Sequence, residues 1–130
     1  MKGFVQDIGD LAVRNTDYRR VLYTAAHCQL VLMALPPGGE TGEEIHQLDQ
    51  LFRVEEGSGV ASLDGVPTAV RAGYAVLVPA GTRHNIVNTG ALPLRLTILY
   101  APPSHRDGVV HATRAAAVAE SATFDSRTTE

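Results

Sequence analysis

The chain has 130 residues, 45% of them hydrophobic, which fits one soluble domain with a core of ordinary size. A formal net charge of −3 leaves no basic field to hold a phosphate backbone, so no nucleic-acid partner is expected. The single cysteine, Cys28, excludes an internal disulfide and suits a reducing compartment. No signal-peptide pattern and no apolar run of membrane-spanning length is visible, so a cytoplasmic protein with no membrane partner is expected.

Residues 1–18 mix charges with short apolar pairs and read as a strand or short turn leading into a loop. From Arg20 the texture changes to short apolar runs separated by turn residues. Cys28 to Leu35 reads as a buried strand, stopped by Pro36-Pro37-Gly38-Gly39. Leu48 to Glu55 is the next, ended by Glu56-Gly57-Ser58-Gly59. Val60 to Leu63 and Val66 to Arg71 flank Asp64-Gly65, a strong hairpin signal. Ala75 to Val78 is closed by Pro79-Ala80-Gly81, Arg83 to Asn88 follows, and Leu92 to Tyr100 is the last clear strand. Short strands at even spacing with Gly, Pro and Asp turns argue for an all-β sandwich or barrel. The one helical candidate is the alanine-rich Thr113 to Ala122, and residues 125–130 read as a solvated tail. The barrel is placed at residues 1–112, N-terminal strand included, with a C-terminal helix and tail at 113–130.

Two spaced patterns stand out. One is Gly73-x5-Pro79-x-Gly81-x2-His84-x3-Asn88 and the other Gly38-x5-Glu44-x-His46-x3-Gln50-x6-Gly57. Strand side chains alternate faces, so Glu44 and His46, two apart, share one. If Gln50 points inward, Phe52 and Val54 do too, and Asp49, Leu51, Arg53 and Glu55 face out. If His84 points inward, Ile86 and Asn88 accompany it. That parity sets polar groups beside an apolar floor. Tyr23, Tyr74 and Tyr100 read as barrel-wall residues whose hydroxyls reach the edge.

Together these patterns resemble the two motifs of the cupin superfamily, across roughly residues 20–100. The second motif, G-x5-P-x-G-x2-H-x3-N, matches at every position. The first, G-x5-H-x-H-x3,4-E-x6-G, matches at Gly38, His46 and Gly57. It departs at Glu44, where the family has histidine, and at Gln50, where it has glutamate. The resemblance implies a double-stranded β-helix (a jelly-roll or cupin barrel) and commonly a homodimer. It also implies one divalent metal ion held by Glu44, His46, Gln50 and His84. Two imidazoles, one carboxylate and one amide oxygen suit Fe, Mn, Zn, Ni or Co. The amide is the weakest donor, and Gln50 as ligand or as a neighbour of the ligands both stand.

The resemblance further implies a metal-dependent enzyme of dioxygenase or isomerase/lyase type. Its small-molecule ligand is expected to be anionic or chelating, because one anionic and three neutral ligands leave a divalent ion near +1. The alternative is a non-catalytic small-molecule-binding module. Phe52, Val54 and Ile86 are expected as an apolar wall around the ligand. Glu44 is the strong base among the ligands and a candidate catalytic group. Residues 102–111 read either as a surface turn or dimer arm, or as a lid. In the lid reading His105 is the catalytic acid or base and Arg106 holds a substrate anion.

Overall fold

Period-two burial organises the chain from Arg19 onward. The computed structural model describes residues 2–130. Nine strands follow one another: β1 Arg19–Thr24, β2 Gln29–Leu35, β3 Asp49–Glu56, β4 Ser58–Leu63, β5 Val66–Arg71, β6 Ala75–Val78, β7 His84–Asn88, β8 Leu94–Ala101 and β9 Val110–His111. They form a six-stranded sheet in the order β6-β3-β8-β2-β1-β9 and a three-stranded sheet in the order β5-β4-β7. All pairings are antiparallel. The two inner faces enclose one core, with Val31, Phe52, Leu96 and Ile98 on the larger sheet and Ala61 and Ile86 on the smaller. The result is the expected all-β jelly roll.

The expected parity holds on both site-bearing strands. In β3, Gln50, Phe52 and Val54 are buried while Asp49, Leu51 and Arg53 are exposed. In β7, His84, Ile86 and Asn88 are buried. Asp64 and Gly65 both take positive φ, 48° and 80°, and close the β4–β5 hairpin with Leu63 opposite Val66. Tyr100 does not reach an edge: it lies inside the barrel at 3% exposure.

The N-terminus corrects the expectation of a strand. Residues Ile8–Arg14 form α1, with Asp7 as N-cap accepting from the Asp10 amide. Arg14 pairs back to Asp10 at 2.8 Å. Ile8, Leu11 and Ala12 have helical i, i+3, i+4 spacing, a pattern that seven residues barely display. The helix buries Ala12. The C-terminal helix α2, Arg114–Ala119, is shorter than expected and is capped by Thr113, whose hydroxyl accepts from the Ala116 amide. The tail is not freely solvated either. The Thr129 amide donates to the Thr24 carbonyl at 2.9 Å, and its hydroxyl donates to Asp107 at 2.8 Å.

Not all outward positions of the large sheet are polar. Leu77, Leu51, Leu99 and Leu30 are successive cross-strand partners on β6, β3, β8 and β2. They form an apolar row on the outer face, with Leu77 61% and Leu51 39% exposed. Among the described residues no helix is long and apolar enough to cross a membrane.

Two motif residues hold the sheets in position. Asn88 is buried; its amide nitrogen donates to the carbonyls of Leu35 and Leu92, each at 2.9 Å, and its oxygen accepts from the Gly90 amide. It ties the end of β2 to the turn before β8. Gly57 sits at φ +92°, and a Cβ there would lie 2.6 Å from the Pro93 carbonyl oxygen. Asn88→Ala is expected to lower stability by about 2–4 kcal/mol, because two buried carbonyls lose their donor. Gly57→Ala is expected to lower it by at least about 2 kcal/mol through positive φ and the backbone clash. Thermal and urea unfolding read both, and a wild-type midpoint for Asn88→Ala would contradict this assignment.

Candidate metal centre

The segment carrying Glu44 and His46 is not the regular strand that shared parity suggested. It runs antiparallel beside β7 but touches it only in isolated bridges, Glu40 to Val87 and Glu44 to His84. The contact is nevertheless long. The Gly38 amide donates to the Asn88 carbonyl and the Asn88 amide returns to Gly39. The Thr41 amide donates to the Ile86 carbonyl, and the Thr41 hydroxyl accepts from the Ile86 amide. Glu44 and His84 exchange both backbone bonds at 2.9 Å, and the Gly81 amide donates to the His46 carbonyl at 2.7 Å. The residues of one motif therefore clasp those of the other. Directly opposed residues in such a pair put their side chains on the same face, which sets Glu44 beside His84.

His84 is buried, and its Nδ1 lies 2.9 Å from the Thr82 carbonyl oxygen. A carbonyl only accepts, so Nδ1 carries the proton and Nε2 keeps its lone pair free to ligate. The Phe52 ring packs near it, with centroids 6.3 Å apart. His46 Nε2 meets Glu44 Oε2 at 2.7 Å, and the His46 and His84 ring centroids are 5.5 Å apart. One donor atom from each of Glu44, His46 and His84 lies within 4.8 Å of the others, a spacing that one ion can bridge.

Gln50 faces the barrel interior with an unmet acceptor. It is 2% exposed on the inner face of β3, between Val78 of β6 and Tyr100 of β8, and its Oε1 has no hydrogen-bond partner. A buried acceptor left unmet is costly, and a cation would satisfy it. The donor chemistry of nitrogen and oxygen without thiolate suits a first-row divalent metal.

His46 also stands on the wall of a cavity of about 340 Å³, shared with Arg19, Ser104, His105 and residues 120–123. His105 sits edge-on to the Tyr100 ring, 5.0 Å between centroids at 89°. Burial first, then the Arg19 charge, push its imidazole down to about 3, so it is neutral at neutral pH. Its place is set by Gln29, a buried amide whose oxygen accepts from the Ser104 and His105 amides. The Gln29 nitrogen donates to the His105 carbonyl and to the Thr24 hydroxyl. Every polar position of this amide is used, and residues 104–105 are pinned to β2. Burial, with Glu44 nearby, raises the Tyr100 phenol above its ordinary range, against the pull of Arg19.

Other expected residues are placed differently. Arg106 is exposed and pairs with Glu120 at 3.1 Å, and it does not line the cavity. Phe52, Val54 and Ile86 are buried in the core. The Phe52 ring lies near that of His84, and none of the three lines the cavity beside His46. Sequence reasoning missed Arg19, Gln29 and the depth of Tyr100. Arg19 and Gln29 lie outside both motifs, and their relevance depends on how the chain after Tyr100 folds back over the barrel.

Comparison with known proteins agrees with this fold. A protein of Bacillus subtilis (strain 168), YrkC, is 42% identical over 125 residues, 91% of this chain and 67% of that one. A crystal structure of BH2720 from Bacillus halodurans superposes with a TM-score of 0.90 at 44% identity, covering 92% of this chain and 96% of that one. The dimethylsulfoniopropionate lyase DddW of Ruegeria pomeroyi is 34% identical over 68 residues, 52% of this chain and 44% of that one. The family described as Cupin domain matches residues 31–100, which hold His46, Gln50, His84 and Glu44 alike. The chain belongs to the cupin domain family.

Proposed function

We propose that this cupin is a metal-dependent enzyme acting on a small anionic or chelating organic molecule, of isomerase/lyase or dioxygenase type. The observation that carries the reading is the convergence of Glu44, His46 and His84 next to a polar cavity that shares His46. When bound, a divalent ion supplies Lewis acidity, and a redox-active one also supplies electron transfer. Glu44, His46 and His84 would hold it, with Gln50 Oε1 as the fourth donor. His84 is oriented for this by Thr82, as ligating histidines commonly are by a carbonyl. Glu44 is the one carboxylate of the group and its strongest base. His105 lines the same cavity as His46 and is the candidate acid or base there. The similarity to a protein named as a lyase supports turnover over simple binding. The non-catalytic binding module remains the second reading, since the same cavity would serve it.

The outer leucine row favours a homodimer, because it leaves apolar area on a face that a second copy could cover. The lone Cys28 fits a reducing compartment such as the cytoplasm.

Purified protein is expected to bind close to one equivalent of Zn(II) or Mn(II) by calorimetry. His84→Ala and Glu44→Ala are each expected to weaken binding at least about 30-fold while circular dichroism is unchanged. Equal affinity in the variants would contradict the site. Oxygen uptake with Fe(II) but not Zn(II) would select the dioxygenase type, since Zn(II) has no redox chemistry. Light scattering is expected to give twice the 13.8 kDa chain mass, and Leu51→Lys with Leu77→Lys to halve it. A monomeric wild type would reject the dimer.

A further inference from the structure

A second cavity, of about 330 Å³, lies at the end of the large sheet remote from Gln50. Leu35 and Pro36 at the end of β2, Pro93 before β8, Tyr18 before β1 and Ala112 after β9 make it mainly apolar. Leu35 pairs with Leu94 of β8, whereas Gln50 pairs with Tyr100, six residues further along that strand and about 20 Å away at the rise of a strand. None of Glu44, His46, Gln50 and His84 lines this cavity. Its charged lining residues are Glu40, Arg95 and Arg114. Arg95 is spent within the fold: its Nη1 donates to Glu56 at 2.6 Å and its Nε to the Asn15 carbonyl at 3.1 Å. The other two meet neutral groups. Arg114 Nε lies 3.4 Å from the Thr41 carbonyl oxygen, with the Tyr18 phenol beside the guanidinium. Glu40 Oε1 accepts from the Asn85 amide at 3.5 Å. Among the described residues Glu40 and Arg114 form no ion pair, with each other or with a third group. Glu40 is half-buried and Arg114 exposed, so both remain accessible.

We propose that this cavity is a second small-molecule site, selective for the zwitterion of an apolar α-amino acid. The ligand carboxylate meets the Arg114 guanidinium, its ammonium meets the Glu40 carboxylate, and its side chain lies against Leu35, Pro36 and Pro93. Opposite charges that do not neutralise each other, on one mainly apolar wall, complement a molecule that bears both charges and an apolar body. A plain carboxylate would leave Glu40 facing a like charge, and a plain amine would do the same to Arg114, so single-charge analogues are disfavoured. The volume is at the small end for ligand sites and suits a compact molecule. The Arg114 guanidinium is also held in place. Gly42 takes φ +84°, and a Cβ there would collide with Arg114 Nη2, so the bare backbone makes its seat. The inference uses no metal and does not depend on the enzyme reading.

The test is titration of L-leucine into the full chain, with calorimetry for affinity and backbone-amide NMR for location. One equivalent is expected to bind, with amide shifts at Ala34, Leu35, Glu40 and Ala112 and none at His84. Isovalerate lacks the ammonium and isoamylamine lacks the carboxylate; each is expected to bind at least about fivefold more weakly than leucine. Glycine, which leaves the apolar wall bare, is expected to be weaker by a similar factor. Glu40→Gln and Arg114→Gln are each expected to weaken leucine at least about fivefold, with Zn(II) affinity within about twofold of wild type. Glu40→Gln keeps shape and so carries the test if Arg114→Gln disturbs α2. No binding of leucine, isovalerate or isoamylamine bound as tightly as leucine, wild-type affinity in Glu40→Gln, or leucine shifts centred on His46 and His84 would each overturn the site.

Discussion

The reciprocal backbone pair between Glu44 and His84, 2.9 Å in each direction, is the contact on which the centre depends. Nothing in local sequence preference brings these residues together, since they are forty positions apart. The bond pair forces their side chains onto one face, and the Gly81 amide on the His46 carbonyl fixes the next ligand two residues on. Without that clasp Glu44 and His46 would be polar residues on an irregular connection. With it they become neighbours of a buried imidazole whose far nitrogen is already held by Thr82. The remaining motif residues serve the same end at a distance. Asn88 ties the two sheets, and Gly57 lets the chain cross under the Pro93 carbonyl.

The barrel interior divides into a dry part and a polar part. Val54, Ile86, Leu96 and Ile98 fill the first and make the core. Gln50, Tyr100 and His105 border the second, and their unmet or strongly shifted groups stand where the core ends. Buried polar groups without partners are rare in proteins and need a reason. Here they belong to Arg19, Gln50 and His105, and the first and last of these residues line the cavity beside His46. Gln29 adds the opposite case, a buried amide fully used to hold His105 in place.

The strands were legible in the sequence because alternation and turn chemistry are local. Asp64-Gly65 at a two-residue hairpin and Gln50, Phe52 and Val54 on one face needed no tertiary knowledge. The helix at Ile8–Arg14 was not legible, because its apolar spacing is carried by three residues and diluted by charges. The ligand positions were read through motif spacing, while the irregular path of residues 40–46 could not be, since isolated bridges leave no period. Arg19 lines the cavity and Arg106 does not. Which arginine faces the cavity depends on β9 pairing with β1 and on Glu120 occupying Arg106, contacts between distant segments.

The central claim is that four separated side chains close on a single cation. Anomalous scattering from a crystal equilibrated with Zn(II) measures this directly. The account predicts one strong peak about 2.0–2.2 Å from His46 Nε2, His84 Nε2 and a Glu44 oxygen, with Gln50 Oε1 turned toward it. A peak elsewhere, or one that touches fewer than three of these residues, would contradict it.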